Sequence, residues 1–88
     1  LAYVGLGKAF RLLGRFDYAI ASFRKALDLD DKLDEALYVL GLTYLDKGDK
    51  GKALNTLTLY KQKHYDSLPG DLKQQLDDLI KSCKEEKQ

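Results

Sequence analysis

This chain has almost nothing with which to staple itself together. Among 88 residues there is one cysteine, Cys83, and one histidine, His64. A lone cysteine cannot close an internal disulfide, and without a His/Cys cluster there is no structural metal site. A chain this short buries only a modest fraction of its surface, so its stability has to come from helix-on-helix packing. An excess of one charge is missing too: 15 Lys+Arg against 14 Asp+Glu leave a formal net charge of +1. That balance supplies no field to attract nucleic acid or an anionic membrane. No apolar run approaches the ~18 residues of a membrane span, and the start carries no signal-peptide pattern. The start also lacks Met and falls in the middle of a pattern, so the chain reads as a piece of something longer. A soluble chain is expected, with the cytoplasm favoured, although one cysteine suits cytosol and periplasm alike.

Proline is equally scarce, occurring once at Pro69, and what fills the chain instead is helical periodicity. Residues 1–13 place Ala2, Leu6, Ala9, Phe10 and Leu13 at three- and four-residue steps, and Gly14 ends the run. A second helix is predicted over 17–29 with Asp17 at its start and a stripe of Ala19, Ile20, Phe23, Ala26 and Leu27. The short link makes these two helices antiparallel neighbours. A third is predicted over about 34–47, capped by Asp31 with Asp34 three residues on, and burying Ala36, Leu37, Leu40, Gly41 and Tyr44. Gly48-Asp49 breaks it. A fourth runs over about 51–64 through Ala53, Leu54, Leu57 and Tyr60, with Lys61, Lys63 and His64 at its negative end. After a linker holding Pro69, with Ser67 or Asp71 as cap, a fifth helix over 70–86 carries the narrow stripe Leu72, Leu76, Leu79, Ile80 and Cys83. Asp77 and Lys81 are spaced for an ion pair on its polar face.

The first four helices are two copies of one unit. Leu6-Gly7-x-x-Phe10 returns as Leu40-Gly41-x-x-Tyr44, 34 residues later, and the same offset pairs Gly14 with Gly48 and Ala19 with Ala53. A fixed period over a whole unit marks a repeat architecture. Gly7 and Gly41 sit in mid-helix, where glycine costs ~1 kcal/mol relative to alanine. Close approach of a neighbouring helix backbone is the expected compensation.

These residues resemble the tetratricopeptide repeat family, whose pattern is W-x2-L-G-x2-Y followed by A-x3-F. The first copy offers Tyr3-x2-Leu6-Gly7-x2-Phe10 and Ala19-x3-Phe23; the second offers Leu37-x2-Leu40-Gly41-x2-Tyr44 and Ala53-x3-Leu57. The resemblance covers residues 1–65, and the fifth helix looks like the capping helix that closes many such arrays. It implies an all-α fold, an α-solenoid (right-handed superhelix) of two antiparallel helix pairs plus a C-terminal amphipathic capping helix. The implied divisions are repeat one at 1–33, repeat two at 34–67 and the capping helix at 68–88. Two departures stand out: Asp31 replaces the family's frequent proline, and Tyr60 stands where the first copy has Ala26. A tyrosine there would hold the next helix further away.

The resemblance also implies a function, the binding of a peptide or helix of another protein in a concave groove lined by the first helix of each pair. Carried over by position, the groove residues are Val4, Lys8, Arg11 and Leu12, then Tyr38, Leu42, Leu45 and Asp46. The third helix then bears apolar residues on two faces, so its second face meets a partner or is covered by the fifth helix or by residues preceding Leu1. Lys8 and Arg11 evoke the subclass that clamps a C-terminal carboxylate, but Val39 and Leu42 stand where further polar grips belong. An apolar peptide or helix fits better than an acidic tail. The alternative is self-association through the N-terminal face of Ala2, Leu6 and Ala9, since a repeat stack needs closed ends.

No arrangement of catalytic groups accompanies these features. His64 has no nucleophile or acid at a useful spacing and reads as a helix-end contact; Cys83 reads as a small buried hydrophobe. The acids Asp28, Asp30, Asp31, Asp34 and Glu35 lack the glycine and ligand order of a calcium loop. Gly48-Asp49-Lys50-Gly51-Lys52 lacks the Walker spacing, and the scattered lysines lack interleaved aromatics for nucleic acid. No enzyme activity, metal or cofactor is expected, and the partner is a protein or peptide.

Overall fold

The structure, a computed structural model, describes residues 3–30 and 32–85. Its elements in order are α1 (Tyr3–Leu12), α2 (Phe16–Leu29), α3 (Asp34–Lys47), α4 (Lys50–His64), a 3-10 turn (Tyr65–Ser67) and α5 (Gly70–Lys84). Helix α1 packs on α2, α3 on α4, α2 on α3 and α4 on α5, so each helix rests on its chain neighbours and the fold grows in one direction. This is an all-α helical repeat fold of two antiparallel pairs, with a fifth helix packed on α4.

The two pairs turn in the same way. Gly14 and Gly48 both adopt left-handed backbone, at φ 78° and 94°, which a β-carbon would strain. In the first turn Arg15 N donates to Phe10 O at 2.9 Å; in the second Asp49 N donates to Tyr44 O at the same distance. These bonds satisfy the last carbonyls of α1 and α3 and reverse the chain within three residues. Side chains echo the register as well: Ser22 Oγ donates to Tyr18 O and Thr56 Oγ1 to Lys52 O.

Helix starts depart from expectation. The residue capping α3 is Leu33, with no side-chain bond, and the expected Asp31 lies outside the described residues. Asp34 and Glu35 instead put negative charge in the first turn. Helix α4 is capped by Asp49, whose Oδ1 accepts from Lys52 N at 3.1 Å. Neither Ser67 nor Asp71 caps α5. Pro69 holds that position, while Ser67 Oγ donates to His64 O and Asp71 Oδ1 accepts from Leu72 N.

The core follows the repeat. Ala19, Phe23, Ala36, Ala53 and Leu57 are fully buried, and Leu76 joins them from α5. Burying a side chain such as Phe23 or Leu57 is worth about 1.5–3 kcal/mol. Gly7 and Gly41 are buried because side chains, not helix backbones, occupy their β-carbon positions. A Cβ at Gly7 would lie 2.7 Å from Phe23 Cε1, and one at Gly41 2.6 Å from Leu57 Cδ2. The expectation of a backbone approach is corrected accordingly. Helix α3 buries Val39 and Thr43 beyond the five residues expected, because it is packed from both sides; Thr43 Oγ1 is satisfied by Val39 O at 2.7 Å. Helix α1 does the opposite. Leu6 is 46% exposed, Leu13 70% exposed, Ala9 exposed and Phe10 half-buried, while Ala2 lies outside the described residues. A stripe with the right period stays open when nothing is packed on it.

Candidate partner-binding site

The face shared by α1 and α3 is built from helical spacing plus two cross-links. Lys8 pairs with Glu35, and Arg11 Nε lies 2.5 Å from Asp46 Oδ2. Glu35 and Asp46 are eleven residues apart on α3, three turns along one stripe, and Leu42 falls between them on that stripe. On α1, Val4 and Leu12 flank Lys8 at one turn on either side. The two ion pairs therefore bring the stripes of α1 and α3 together, with an apolar strip between. Leu12 is 89% exposed, Leu42 and Leu45 are half-buried, and Val4 packs against the core edge. The four charged groups of this face cancel in pairs. Lys8 and Arg11 are already engaged by carboxylates, so a carboxylate-ended ligand would have to displace Glu35 or Asp46.

Tyr38 lies one turn before Leu42 on α3 and also reaches α4. Its ring packs against Tyr60, centroid to centroid 5.1 Å, and Tyr60 in turn packs on His64 at 5.1 Å. Burial pushes the Tyr38 phenol up, with Arg11 pulling the other way, and burial likewise pushes up Tyr60. Both rings, with Leu68, Leu72 and Leu76, line a cavity of about 120 Å³ between α3, α4 and α5. Tyr60 thus shares this cavity with Leu72 and Leu76 of α5.

A polar clasp holds α5 on the far side. Tyr65 Oη donates to Asp77 Oδ2 at 2.8 Å. Asp77 Oδ1, shielded from solvent, faces Lys61 Nζ at 3.0 Å. The Lys61 and Lys73 ammonium groups lie 4.9 and 5.2 Å from the Tyr65 ring centroid. The Lys61 ammonium, then the hydrogen bond from Tyr65, holds the Asp77 carboxyl below its ordinary value. Asp77 thus pairs with Lys61 of α4 rather than with Lys81, as the spacing along α5 had indicated. The same kind of long-range closure joins the end of α4 to the start of α3: His64 Nε2 lies 2.8 Å from Asp34 Oδ1, an ion pair whenever the imidazole is protonated. The clasp and this pair escaped the sequence reading, because each links residues from different helices and leaves no trace in a helical period. Tyr60, already conspicuous in the second repeat, was the one signal pointing to this region.

Cys83 is 4% exposed, and burial pushes its thiol up. Among the described residues no group of three or more His, Cys, Asp or Glu side chains is placed to hold a metal ion. No described helix is long and apolar enough to cross a membrane.

Two comparisons with known proteins bear on this arrangement. The sequence profile of a family described as "TPR repeat" matches residues 7–48, from Gly7 of α1 to the Gly48 turn. The chain is also similar to a Bos taurus protein named "BBSome complex member BBS4", with 40% identity over 72 residues. That similarity takes in 77% of this chain but only 14% of the relative, so the chain spans a small part of the relative's length.

Proposed function

The chain belongs to the tetratricopeptide repeat family, whose repeats generally mediate protein–protein interaction, and from that premise we propose that the α1/α3 face is a groove that binds a peptide or helix of a partner protein. We read the chain as one unit, with repeat one at 1–33, repeat two at 34–67 and a capping helix at 68–88. Val4, Lys8, Arg11, Leu12, Tyr38, Leu42, Leu45 and Asp46 are the contact residues. The observation carrying this reading is the position of Leu42, an apolar side chain on a stripe bounded by the Lys8–Glu35 and Arg11–Asp46 pairs. Because those charges cancel, the surface suits a neutral, apolar segment better than an acidic tail. The family and the relative point to a scaffold rather than a catalyst. The relative is by name a member of a complex, and holding a segment of a neighbouring subunit is the corresponding role here. The test is selection of peptides from a random library on the wild-type chain, followed by binding to Leu42→Asp. Loss of binding with unchanged helicity supports the groove; equal binding overturns it.

A second reading is favoured by one comparison between the repeats. Leu40 is 6% exposed beneath α2, whereas Leu6, its counterpart in α1, is 46% exposed. The open face of α1 is suited to assembly, with a second copy of the chain or a further helix of the same kind covering it.

A further inference from the structure

We propose that the cavity between Tyr38, Tyr60, Leu68, Leu72 and Leu76 is an anchor pocket that takes one leucine-sized aliphatic side chain of the segment bound in the groove. This rests on the groove reading and adds the identity of the residue that fixes the ligand's register.

Three observations carry it. The first is continuity. Tyr38 and Leu42 are one turn apart on α3, so a segment lying on Leu42 reaches the pocket wall with no change of direction. The second is access. Leu76, 1% exposed, forms the floor, while Leu72 is 42% exposed and Tyr38, Tyr60 and Leu68 are half-buried. The space is therefore open to an incoming group and is not a void sealed in the core. The third is chemistry. The volume is about 120 Å³ and none of the five lining side chains is charged. An apolar cavity of roughly 150 Å³ is known to stay dry and admit a molecule such as benzene. A charged side chain entering here would lose its hydration and find no opposite charge in the lining.

The pocket has a structural origin in the departure of repeat two from repeat one. The first copy has Ala26 where the second has Tyr60, and Ala26 is fully packed at 3% exposed. Tyr60 instead leans on Tyr38 and leaves α5 to close the space with leucines alone. The Lys61–Asp77–Tyr65 clasp holds α5 by its other edge. The third wall of the pocket is thereby kept in place without filling it.

The experiment is a methyl NMR titration of the full chain with N-acetyl-leucinamide, with N-acetyl-aspartamide as control. We expect saturable shifts at the Leu68, Leu72 and Leu76 methyls with a Kd of roughly millimolar, the strength of a single side chain. The aspartyl compound should give none. Leu72→Trp and, separately, Leu68→Phe fill the pocket and should each weaken binding at least tenfold. Helicity by circular dichroism decides which of the two variants is read. Absence of saturable shifts, equal response to the aspartyl compound, or unchanged binding in a folded pocket-filled variant would overturn the proposal. Leu42→Asp separates this outcome from the groove reading, since it should abolish binding of selected peptides while leaving the leucinamide shifts intact.

Discussion

The side chain of Leu57 occupies the space that a β-carbon on Gly41 would need, with Cδ2 2.6 Å from that position. Phe23 stands in the same relation to Gly7, at 2.7 Å. Each pair joins the first helix of a repeat to the second. The glycine is thus one half of a knob-and-hole contact whose other half is a fully buried side chain. The helix propensity forfeited at glycine, ~1 kcal/mol, is offset by the burial of Phe23 or Leu57, worth about 1.5–3 kcal/mol.

Gly41→Ala should therefore destabilise the chain even though alanine is the better helix former. Overpacking a filled core costs typically about 1–3 kcal/mol, which outweighs the propensity gain. For a domain of this size each kcal/mol corresponds to roughly 4–8 °C in Tm. Adding Leu57→Ala should recover part of the clash, appearing as a favourable coupling in a double-mutant cycle. A thermal melt of Gly41→Ala at or above the wild-type Tm would show that the hole is not needed.

Gly51 offers the contrast. It lies in the first turn of α4, is exposed, and a β-carbon there would meet only Asp49 Oδ1 at an ordinary 3.8 Å. Gly51→Ala should raise stability by up to ~1 kcal/mol. The opposite signs at two helical glycines, read by the same denaturation assay, test the packing account without any knowledge of ligand.

The attachment of α5 should depend on pH through its clasp. Asp77 is held below its ordinary pKa of 3.8, so its contribution is complete above that value and lost as pH falls through the depressed one. Lys61 and Tyr65 are pushed above 10.5 and 10.0, first through their contacts with Asp77, an ion pair for Lys61 and a hydrogen bond for Tyr65. Their contribution is complete below those values and lost as pH climbs through the raised ones. Thermal melts should show a flat plateau near neutrality, a fall in strong acid and a fall in strong base. Asp77→Asn should flatten the acid fall; an acid limb unchanged in that variant would mean other carboxylates carry it.

Cys83 gives a second readout of the same helix. Its thiol is buried at the α4/α5 contact and pushed up by that burial, so it should react with a disulfide reagent only when α5 opens. Asp77→Ala, which removes both polar bonds of the clasp, should accelerate labelling several-fold while leaving the helical signal of α1–α4 in place. Labelling at the same rate in both proteins would mean that the apolar stripe alone holds α5.

How much of this was legible depended on whether the information was periodic. The pairs, the turns at Gly14 and Gly48 and the buried alanines at 19 and 53 all recur at one spacing, so the chain displays them twice. Helix α1 carries an apolar stripe that stays largely exposed, because periodicity states which face is apolar and not whether anything rests on it. A glycine advertises a close approach without naming the atom that approaches, and at Gly7 and Gly41 that atom belongs to a side chain. The Asp77 and His64 contacts depend on how α5 and the ends of α3 and α4 meet in space, which no local spacing encodes. The pocket followed from a single departure, Tyr60, whose size was visible although the space it creates was not.

The open face of α1 makes the last prediction. Leu6 and Leu40 are equivalent by register, yet one is 46% exposed and the other 6%. Covering Leu6 to the extent of Leu40 would be favourable, at roughly 25 cal/mol per Å² of apolar surface removed from water, and Leu13 and Tyr18 add to the same exposed end. A contact built on this face should show as a concentration-dependent mass in sedimentation velocity over a hundredfold range. Leu6→Asp should then return the chain to monomer with its melting behaviour nearly unchanged, because the residue is not part of the core. A wild-type chain that stays at 10.0 kDa throughout would remove self-association as a reading and leave the groove as the surface through which this chain meets its partner.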